Sequence, residues 1–148
     1  MSEYKHVHTG ACDCGAVKFE YHCDQDLTEH TARACQCEFC KPRQASYLSL
    51  VASELRVHLK DRRYLYAYRF GTNTADFMHC AVCNSQVFVK TRVDDQDYAL
   101  VYAPALARFS ELTDFSPVNY DEEVLSDRLQ RRAQNWIAKL DVISERET

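Results

Sequence analysis

The chain has 148 residues, of which 46% are hydrophobic, which is enough for one domain with a substantial core but too little for two. Its formal net charge of −4 makes nucleic acid a poor candidate partner, because phosphate binding favours a basic surface. We expect residues 1–148 to form a single domain. No apolar run has the length of a secretion signal or a membrane span, so we expect a cytoplasmic protein without membrane association.

Alternation of apolar and polar residues predicts a mainly antiparallel β core. The clearest strand starts at Val17 and continues to Cys23, with Lys18, Glu20 and His22 on the polar face. Similar signals predict further strands over residues 46–51, 55–59, 64–70, 75–79, 87–90 and 98–102. With only three glycines and three prolines, the chain shows no flexible linker.

The last part of the chain predicts a C-terminal α-helix. Apolar residues recur there at intervals of three or four, at Leu125, Leu129, Ala133, Trp136 or Ile137, and Leu140. Asn119 or Asp121 is the predicted N-cap. We expect a zinc-binding β core over residues 8–115 and a helical tail over residues 116–148 that packs on it. A homodimer contact is the alternative role of this helix.

Seven of the eight cysteines fall into three groups, which predicts metal binding. In a reducing compartment, clustered cysteines are more often metal ligands than disulfides. The groups are Cys12 with Cys14, Cys35 with Cys37 and Cys40, and Cys80 with Cys83. The eighth, Cys23, lies on the apolar face of its strand, so we interpret it as a buried, inert thiol.

The two pairs predict one closed zinc site. A structural zinc takes four tetrahedral ligands, and a short cysteine knuckle supplies two of them from one turn. Such turns need a residue that tolerates positive φ, and Gly15 and Asn84 directly follow the two pairs. The closed site would therefore stabilise the fold by joining distant parts of the chain, with the ligands Cys12, Cys14, Cys80 and Cys83.

Cys35, Cys37 and Cys40 supply three sulfur ligands within six residues. A closed site would need a fourth protein ligand, whereas a catalytic zinc leaves that position to water or substrate. The candidates for a fourth ligand are Cys23, His30 and His79. His79 directly precedes Cys80, where it could orient a ligand or donate a proton, although a structural role is the simpler interpretation.

Four segments in order resemble the family of glutathione-dependent formaldehyde-activating enzymes, which includes centromere protein V-like proteins. Residues 9–19 are similar to the family's G-x-C-x-C-G-x-V-x-F element, and residues 34–40 to its C-x-C-x-x-C. Residues 68–71 and 80–88 are similar to the segment before the last knuckle and to the closing C-x-x-C stretch. The sequence departs from the family at Asn84, where glycine is usual, and over residues 41–45, which lack a glycine.

The resemblance implies an Mss4-like β-tent, in which antiparallel sheets are pinned by zinc knuckles. It also implies a structural zinc on the two cysteine pairs and a catalytic zinc on Cys35, Cys37 and Cys40, completed by water or a thiol. The implied activity is that of a carbon–sulfur lyase acting in the synthetic direction, which joins glutathione and formaldehyde into S-(hydroxymethyl)glutathione. His79 or Tyr47 is a candidate proton donor.

Two other functions are compatible with the sequence. The first is a non-catalytic zinc-binding interaction module related to centromere protein V, in which a histidine closes the second site or no second metal binds. A basic face could support a chromatin version of this module, with the residues Arg56, Lys60, Arg62, Arg63 and Arg69. The second is a methionine sulfoxide reductase, which would need Cys23 to be exposed.

Overall fold

The chain forms two β-sheets and one α-helix in a computed structural model that describes residues 4–37, 40–69, 74–120 and 123–145. The strands, β1 to β11, are His6–Ala11, Val17–Cys23, Thr31–Cys35, Ser46–Leu48, Glu54–Leu59, Leu65–Tyr68, Ala75–Cys80, Gln86–Val93, Gln96–Tyr102, Asp114–Val118 and Lys139–Ser144. The helix α1 is Leu125–Asn135. Of the helices in the described ranges, none combines the length and apolar character needed to span a membrane.

The first sheet has the order β1-β2-β5-β11. Its central strand β2 alternates as the sequence predicts, because Val17, Phe19 and Tyr21 are at most 1% exposed. These side chains pack with apolar residues of the second sheet, such as Phe88 and Val101, to form the main core. The first sheet therefore presents one apolar face to the core, as period-two patterning requires.

The second sheet has the order β10-β3-β4-β9-β8-β7-β6. Most of its neighbours are antiparallel, but β10 pairs in parallel with β3, and β11 pairs in parallel with β5 in the first sheet. The predicted mainly β architecture with a C-terminal helix is confirmed, and it agrees with a β-tent. The two parallel pairs lie at sheet edges, where the chain returns after long connections.

The seven predicted strands are present, with bounds that shift by a few residues. The largest differences are the strand predicted over 46–51, which ends at Leu48, and the one predicted over 87–90, which spans Gln86–Val93. The strand predicted over 64–70 spans Leu65–Tyr68. Residue 70 lies outside the described residues. Four strands, β1, β3, β10 and β11, are not predicted by the sequence pattern, because these segments mix polar and apolar residues without a clear period of two.

The predicted helix is wrong in its cap, its buried face and its length. Its N-cap is Val124 rather than Asn119 or Asp121, the latter lying outside the described residues. Leu125 is 46% exposed, whereas Arg132 is the buried residue of the helix, at 6% exposure. A guanidinium hydrogen bond from Arg132 to the hydroxyl of Thr91, which lies on β8, attaches the helix to the second sheet.

The helix ends before Ile137 because the backbone there pairs with a strand instead. The N–H and C=O of Ile137 both hydrogen-bond to Ala99 of β9, at 2.9 and 3.0 Å. The chain then continues as β11, which contains Leu140. Trp136 is therefore the C-cap of the helix, Ile137 belongs to a bridge and Leu140 to a strand, although their spacing predicts a longer helix.

Candidate metal centres

The first cysteine knuckle lies in the tight turn between β1 and β2. The N–H of Cys12 donates to the C=O of Val17 at 2.9 Å, and the N–H of Gly15 donates to the C=O of Cys12 at 3.1 Å. Gly15 has φ of +81°, as predicted for the residue after the pair. Gly10 is required for a different reason, because an added Cβ would lie 2.2 Å from the Phe19 ring.

The second knuckle lies between β7 and β8. The N–H of Asn84 donates to the C=O of Cys80 at 2.8 Å, and Asn84 has φ of +67°. The predicted left-handed residue after each pair is therefore confirmed. The N–H of Val82 donates to the Sγ of Cys80 at 3.3 Å, an interaction that favours the thiolate form of the sulfur.

The two knuckles bring four sulfur atoms to within 4.8 Å of one another. The Sγ of Cys14 lies 3.6 Å from that of Cys12 and 3.7 Å from that of Cys80. Sulfurs bound to zinc at about 2.3 Å lie about 3.8 Å apart along the edges of a tetrahedron. The donor type, number and spacing of this cluster, Cys12, Cys14, Cys80 and Cys83, therefore fit a zinc ion. We call it the four-sulfur cluster.

The four-sulfur cluster joins the two sheets. Cys12 and Cys14 follow a strand of the first sheet, whereas Cys80 ends a strand of the second and Cys83 lies in the turn after it. The N–H of Asp13 also donates to the Oγ of Ser85 at 3.1 Å, which connects the turns directly. Although desolvation opposes it, hydrogen bonding to Ser85 lowers the pKa of Cys83 to about 6, so this thiol ionises readily.

The second cluster comes from one short segment after β3. The sulfur atoms of Cys35, Cys37 and Cys40 lie within 4.8 Å of one another, and no further His, Cys, Asp or Glu joins this group among the described residues. Residues 38 and 39 lie outside the described ranges. The hydrogen bond with Cys35, followed by burial, raises the pKa of Cys40. We call these three residues the three-sulfur cluster, and they too could hold zinc.

A buried hydrogen-bond chain supports the three-sulfur cluster. The Oη of Tyr47 lies 3.1 Å from the Sγ of Cys40, and the Nε2 of Gln86 donates to the same Oη at 3.1 Å. Because the hydroxyl accepts from Gln86, its own hydrogen is available to donate to the sulfur. Burial raises the pKa of Tyr47 well above its usual value, so the phenol keeps that hydrogen. Sequence spacing gives no signal for Gln86, which lies 39 residues beyond Tyr47.

Cys35 of the three-sulfur cluster lines a cavity of about 420 Å³. The other lining residues are Ala34, Gln36, Lys41, Gln44, Ala45, Ser46, Phe109 and Phe115. The sequence analysis did not identify Ser46, Phe109 or Phe115, because they come from distant segments. We call this space the Cys35 cavity.

His79 lines a second, smaller cavity of about 270 Å³, together with Arg43, Gln86 and Tyr102. The Nδ1–H of His79 donates to the C=O of Phe77 at 2.8 Å, which leaves Nε2 as the other ring nitrogen. Burial lowers the pKa of His79. Gln86 lines this cavity and hydrogen-bonds to Tyr47, which in turn contacts Cys40. The catalytic role of His79 stays a prediction.

Comparison with known proteins identifies the family. The sequence model of the family described as glutathione-dependent formaldehyde-activating enzyme matches residues 7–120. The chain belongs to this family. The match covers both cysteine pairs and the three-sulfur cluster, so the resemblance drawn from the four motifs is confirmed.

A solved structure supports membership of the formaldehyde-activating family at the level of the fold. The crystal structure of a Rhodobacter sphaeroides protein, a structural genomics target, superposes on this chain with a TM-score of 0.55. The two sequences are 28% identical, and the alignment covers 73% of this chain and 99% of that one.

The free thiol state of the cysteines agrees with zinc binding in the formaldehyde-activating family. All eight cysteines are unbridged. Cys23 is fully buried, and its Sγ donates to the C=O of Gln25 at 3.3 Å. The inert role predicted for Cys23 fits this environment, and a sulfoxide reductase that relies on an exposed Cys23 does not.

The basic residues considered for a chromatin-binding module are largely paired. Arg56 lies 2.5 Å from Glu54, and Arg63 lies 2.8 Å from Asp61. Arg69 forms an ion pair with Asp76. These carboxylates neutralise much of the local positive charge, which weakens the case for a phosphate-binding face on this member of the family.

Proposed function

We propose that the chain joins a small thiol, such as glutathione, to an aldehyde, such as formaldehyde, and reverses that reaction, as a zinc-dependent carbon–sulfur lyase. The observation that carries this proposal is the three-sulfur cluster, whose Cys35 lines a cavity large enough for a small molecule. Membership of the formaldehyde-activating family supplies the substrate class. The four-sulfur cluster then has a structural role.

The chemistry needs a thiolate, an oriented aldehyde and a proton. When bound, zinc lowers the pKa of a coordinated thiol and holds its sulfur in place. The thiol sulfur attacks the carbonyl carbon, a C–S bond forms, and the π electrons of the carbonyl move to its oxygen. The proton released by the thiol is returned to that oxygen, so that thiol and aldehyde yield an S-hydroxymethyl adduct without other reactants.

Residues of this chain would position the reaction and move the proton. The Tyr47 hydroxyl contacts the sulfur of Cys40 and accepts a hydrogen bond from Gln86. These hydrogen bonds fix the orientation of the three-sulfur cluster. We assign the proton transfer to His79, which lines a separate cavity with Gln86, the residue that donates to the Tyr47 hydroxyl beside Cys40. The Nδ1–H bond to Phe77 leaves Nε2 to accept the thiol proton and return it to the adduct.

Cobalt substitution tests the open site. Protein loaded with two Co²⁺ per chain is titrated with glutathione, and the visible absorption of the metal is followed. A thiol that enters the coordination of the three-sulfur cluster changes the spectrum, whereas a closed site does not respond. A Cys37→Ser variant, which retains the four-sulfur cluster, should lose the response and one equivalent of metal. An unchanged spectrum in the wild-type protein would contradict the proposal.

Formation of the adduct from glutathione and formaldehyde tests the role of His79. We expect His79→Gln to lower the catalysed rate by about 10²-fold, the usual contribution of a general acid–base, with two zinc ions still bound. His58→Gln is the control, because His58 lies on β5 of the first sheet. A His79→Gln variant with the full rate would remove His79 from the mechanism.

A further inference from the structure

Three parts of the lining of the Cys35 cavity affect which thiol it can bind. β4 places Ser46 beside Ala34 of β3, the neighbour of Cys35, through antiparallel pairing. The turn after the three-sulfur cluster supplies Lys41. The third part is a pair of aromatic rings, Phe109 and Phe115. All of it adjoins a cysteine that could hold metal, so a molecule bound there has its reactive end within reach of the cluster.

Ser46 carries a buried hydroxyl with an unmet hydrogen-bonding capacity. The residue is 3% exposed, and within the described part of the chain its Oγ has no hydrogen-bond partner. A buried polar group without a partner costs folding free energy that a bound ligand would recover. Since Ser46 lies in a strand between β3 and β9, its position is fixed before any ligand arrives.

The charge of the cavity favours an anion. Among the described residues that line it, Lys41 is the charged one, accompanied by the amides of Gln36 and Gln44. Lys41 is exposed at the rim, where its ammonium group can move towards a ligand. A carboxylate at this rim would therefore meet a positive charge and amide donors.

An aromatic pair, Phe109 and Phe115, forms part of the cavity lining. The rings of Phe109 and Phe115 contact edge to face, with their centroids 6.2 Å apart. Phe115 is 43% exposed and lies on β10, which pairs in parallel with β3 and so runs alongside Cys35. Covering these rings with an apolar group of a ligand would remove exposed aromatic surface from water.

We propose that the Cys35 cavity binds the non-reacting part of a thiol that carries both a carboxylate and an apolar group, with Lys41, Ser46 and the Phe109–Phe115 pair as its contacts. This assignment rests on the proposed function, since it places the thiol sulfur at the three-sulfur cluster. It adds a preference among thiols, which the zinc chemistry alone does not provide.

The full-length cobalt protein is titrated with three thiols that differ in one feature each. They are 3-mercaptopropionate, its neutral methyl ester, and 2-benzyl-3-mercaptopropionate, which adds an aromatic ring and keeps the thiol in the same position relative to the carboxylate. We expect the acid to bind about two- to fivefold more tightly than the ester, the range of an exposed ion pair. The ring should add about tenfold.

Variants assign these preferences to residues. Lys41→Gln should abolish the difference between acid and ester, and Lys139→Gln, an exposed lysine on β11, should leave it unchanged. Phe115→Ala should remove the gain from the ring. Equal binding of acid and ester in the wild-type protein, or equal weakening of both by Lys41→Gln, would overturn the proposal.

Ser46→Ala separates ligand binding from stability. We expect the variant to bind 3-mercaptopropionate up to tenfold more weakly while its free energy of unfolding stays constant or rises, because the lost hydroxyl had no partner. Ser53→Ala is the matched control, since the buried Ser53 hydroxyl donates to the C=O of Leu50, and this variant should lose stability but not affinity. A Ser46→Ala variant that loses stability and keeps its affinity would contradict the assignment.

The same titrations distinguish this proposal from the proposed function. If no thiol changes the cobalt spectrum, the open zinc site itself is wrong, and the cavity assignment falls with it. If all three thiols change the spectrum with equal affinity, the open site stands and the cavity assignment alone is wrong.

Discussion

Two of the three candidate fourth ligands for the three-sulfur cluster are engaged elsewhere by hydrogen bonds. His30 uses both ring nitrogens, with Nδ1 donating to the C=O of Asp26 at 3.0 Å and Nε2 3.3 Å from the Oη of Tyr21. Cys23 donates to a backbone carbonyl in the core. For a single residue, whether a histidine or cysteine can act as a metal ligand depends on its hydrogen-bond partners, which the sequence alone does not reveal.

The environment of His30 predicts a pH dependence of stability. Burial lowers the pKa of His30, to which the nearby His8 also contributes. The unfolded chain, with a histidine pKa of about 6.5, therefore takes up a proton at a higher pH than the folded protein. The His30 contribution to stability is complete above about pH 6.5 and is lost as the pH falls below it.

Denaturant titrations at a series of pH values measure this effect. We expect the free energy of unfolding of the wild-type protein to fall between about pH 6.5 and pH 5, and His30→Gln to reduce that slope. His58→Gln, which changes an exposed histidine, should leave the slope as it is. Identical slopes in all three proteins would contradict the buried, neutral state of His30.

At the scale of elements, the C-terminal segment shows how tertiary pairing overrides a helical pattern. Spacing alone predicts one helix from Leu125 to Leu140, yet the helix ends at Asn135. The backbone of Ile137 bonds in both directions to Ala99, and β11 then extends the first sheet beside β5. Because Ile137 and β11 satisfy their backbone groups with neighbouring strands, continuation of the helix offers no gain.

Substitutions of two isoleucines test this arrangement. Ile137 is fully buried beside Ala99, so Ile137→Ala should lower the free energy of unfolding by about 2–4 kcal/mol. Ile143 on β11 is 42% exposed, so Ile143→Ala should cost less than about 1 kcal/mol. Urea unfolding followed by circular dichroism compares the two variants. Equal losses would contradict the buried bridge at Ile137.

At the scale of the whole molecule, the two sulfur clusters differ in what they connect. The four-sulfur cluster draws on β1 in the first sheet and β7 in the second, 66 residues apart between Cys14 and Cys80. The three-sulfur cluster comes from six consecutive residues. Metal in the first cluster would therefore constrain the fold, whereas metal in the second would constrain one loop.

Loss of zinc should therefore destabilise the fold more at the four-sulfur cluster than at the three-sulfur cluster. We expect Cys80→Ser to bind the structural metal poorly and to unfold at a much lower temperature, since structural zinc contributes on the order of 10 kcal/mol of binding free energy. Cys37→Ser should keep the wild-type circular dichroism spectrum and one zinc per chain. Thermal unfolding with metal analysis measures both. A Cys37→Ser variant as unstable as Cys80→Ser would contradict this division of roles.

The sequence alone is enough to predict the family, the mainly β architecture and the division of seven cysteines into groups of four and three. These features depend on residues that are close together in the sequence. Examples are the spacing of the cysteine knuckles, the left-handed residues Gly15 and Asn84, and the alternation in β2.

The surroundings of the two sulfur clusters could not be predicted from the sequence, because they depend on tertiary contacts. Residues from distant segments come together in the Tyr47–Gln86 hydrogen bond and in the Cys35 cavity, where Ser46 and Phe115 meet. The end of the helix at Asn135 depends on such contacts as well. Such contacts follow from strand order and register, and side-chain periodicity specifies the face of a strand but not its neighbour.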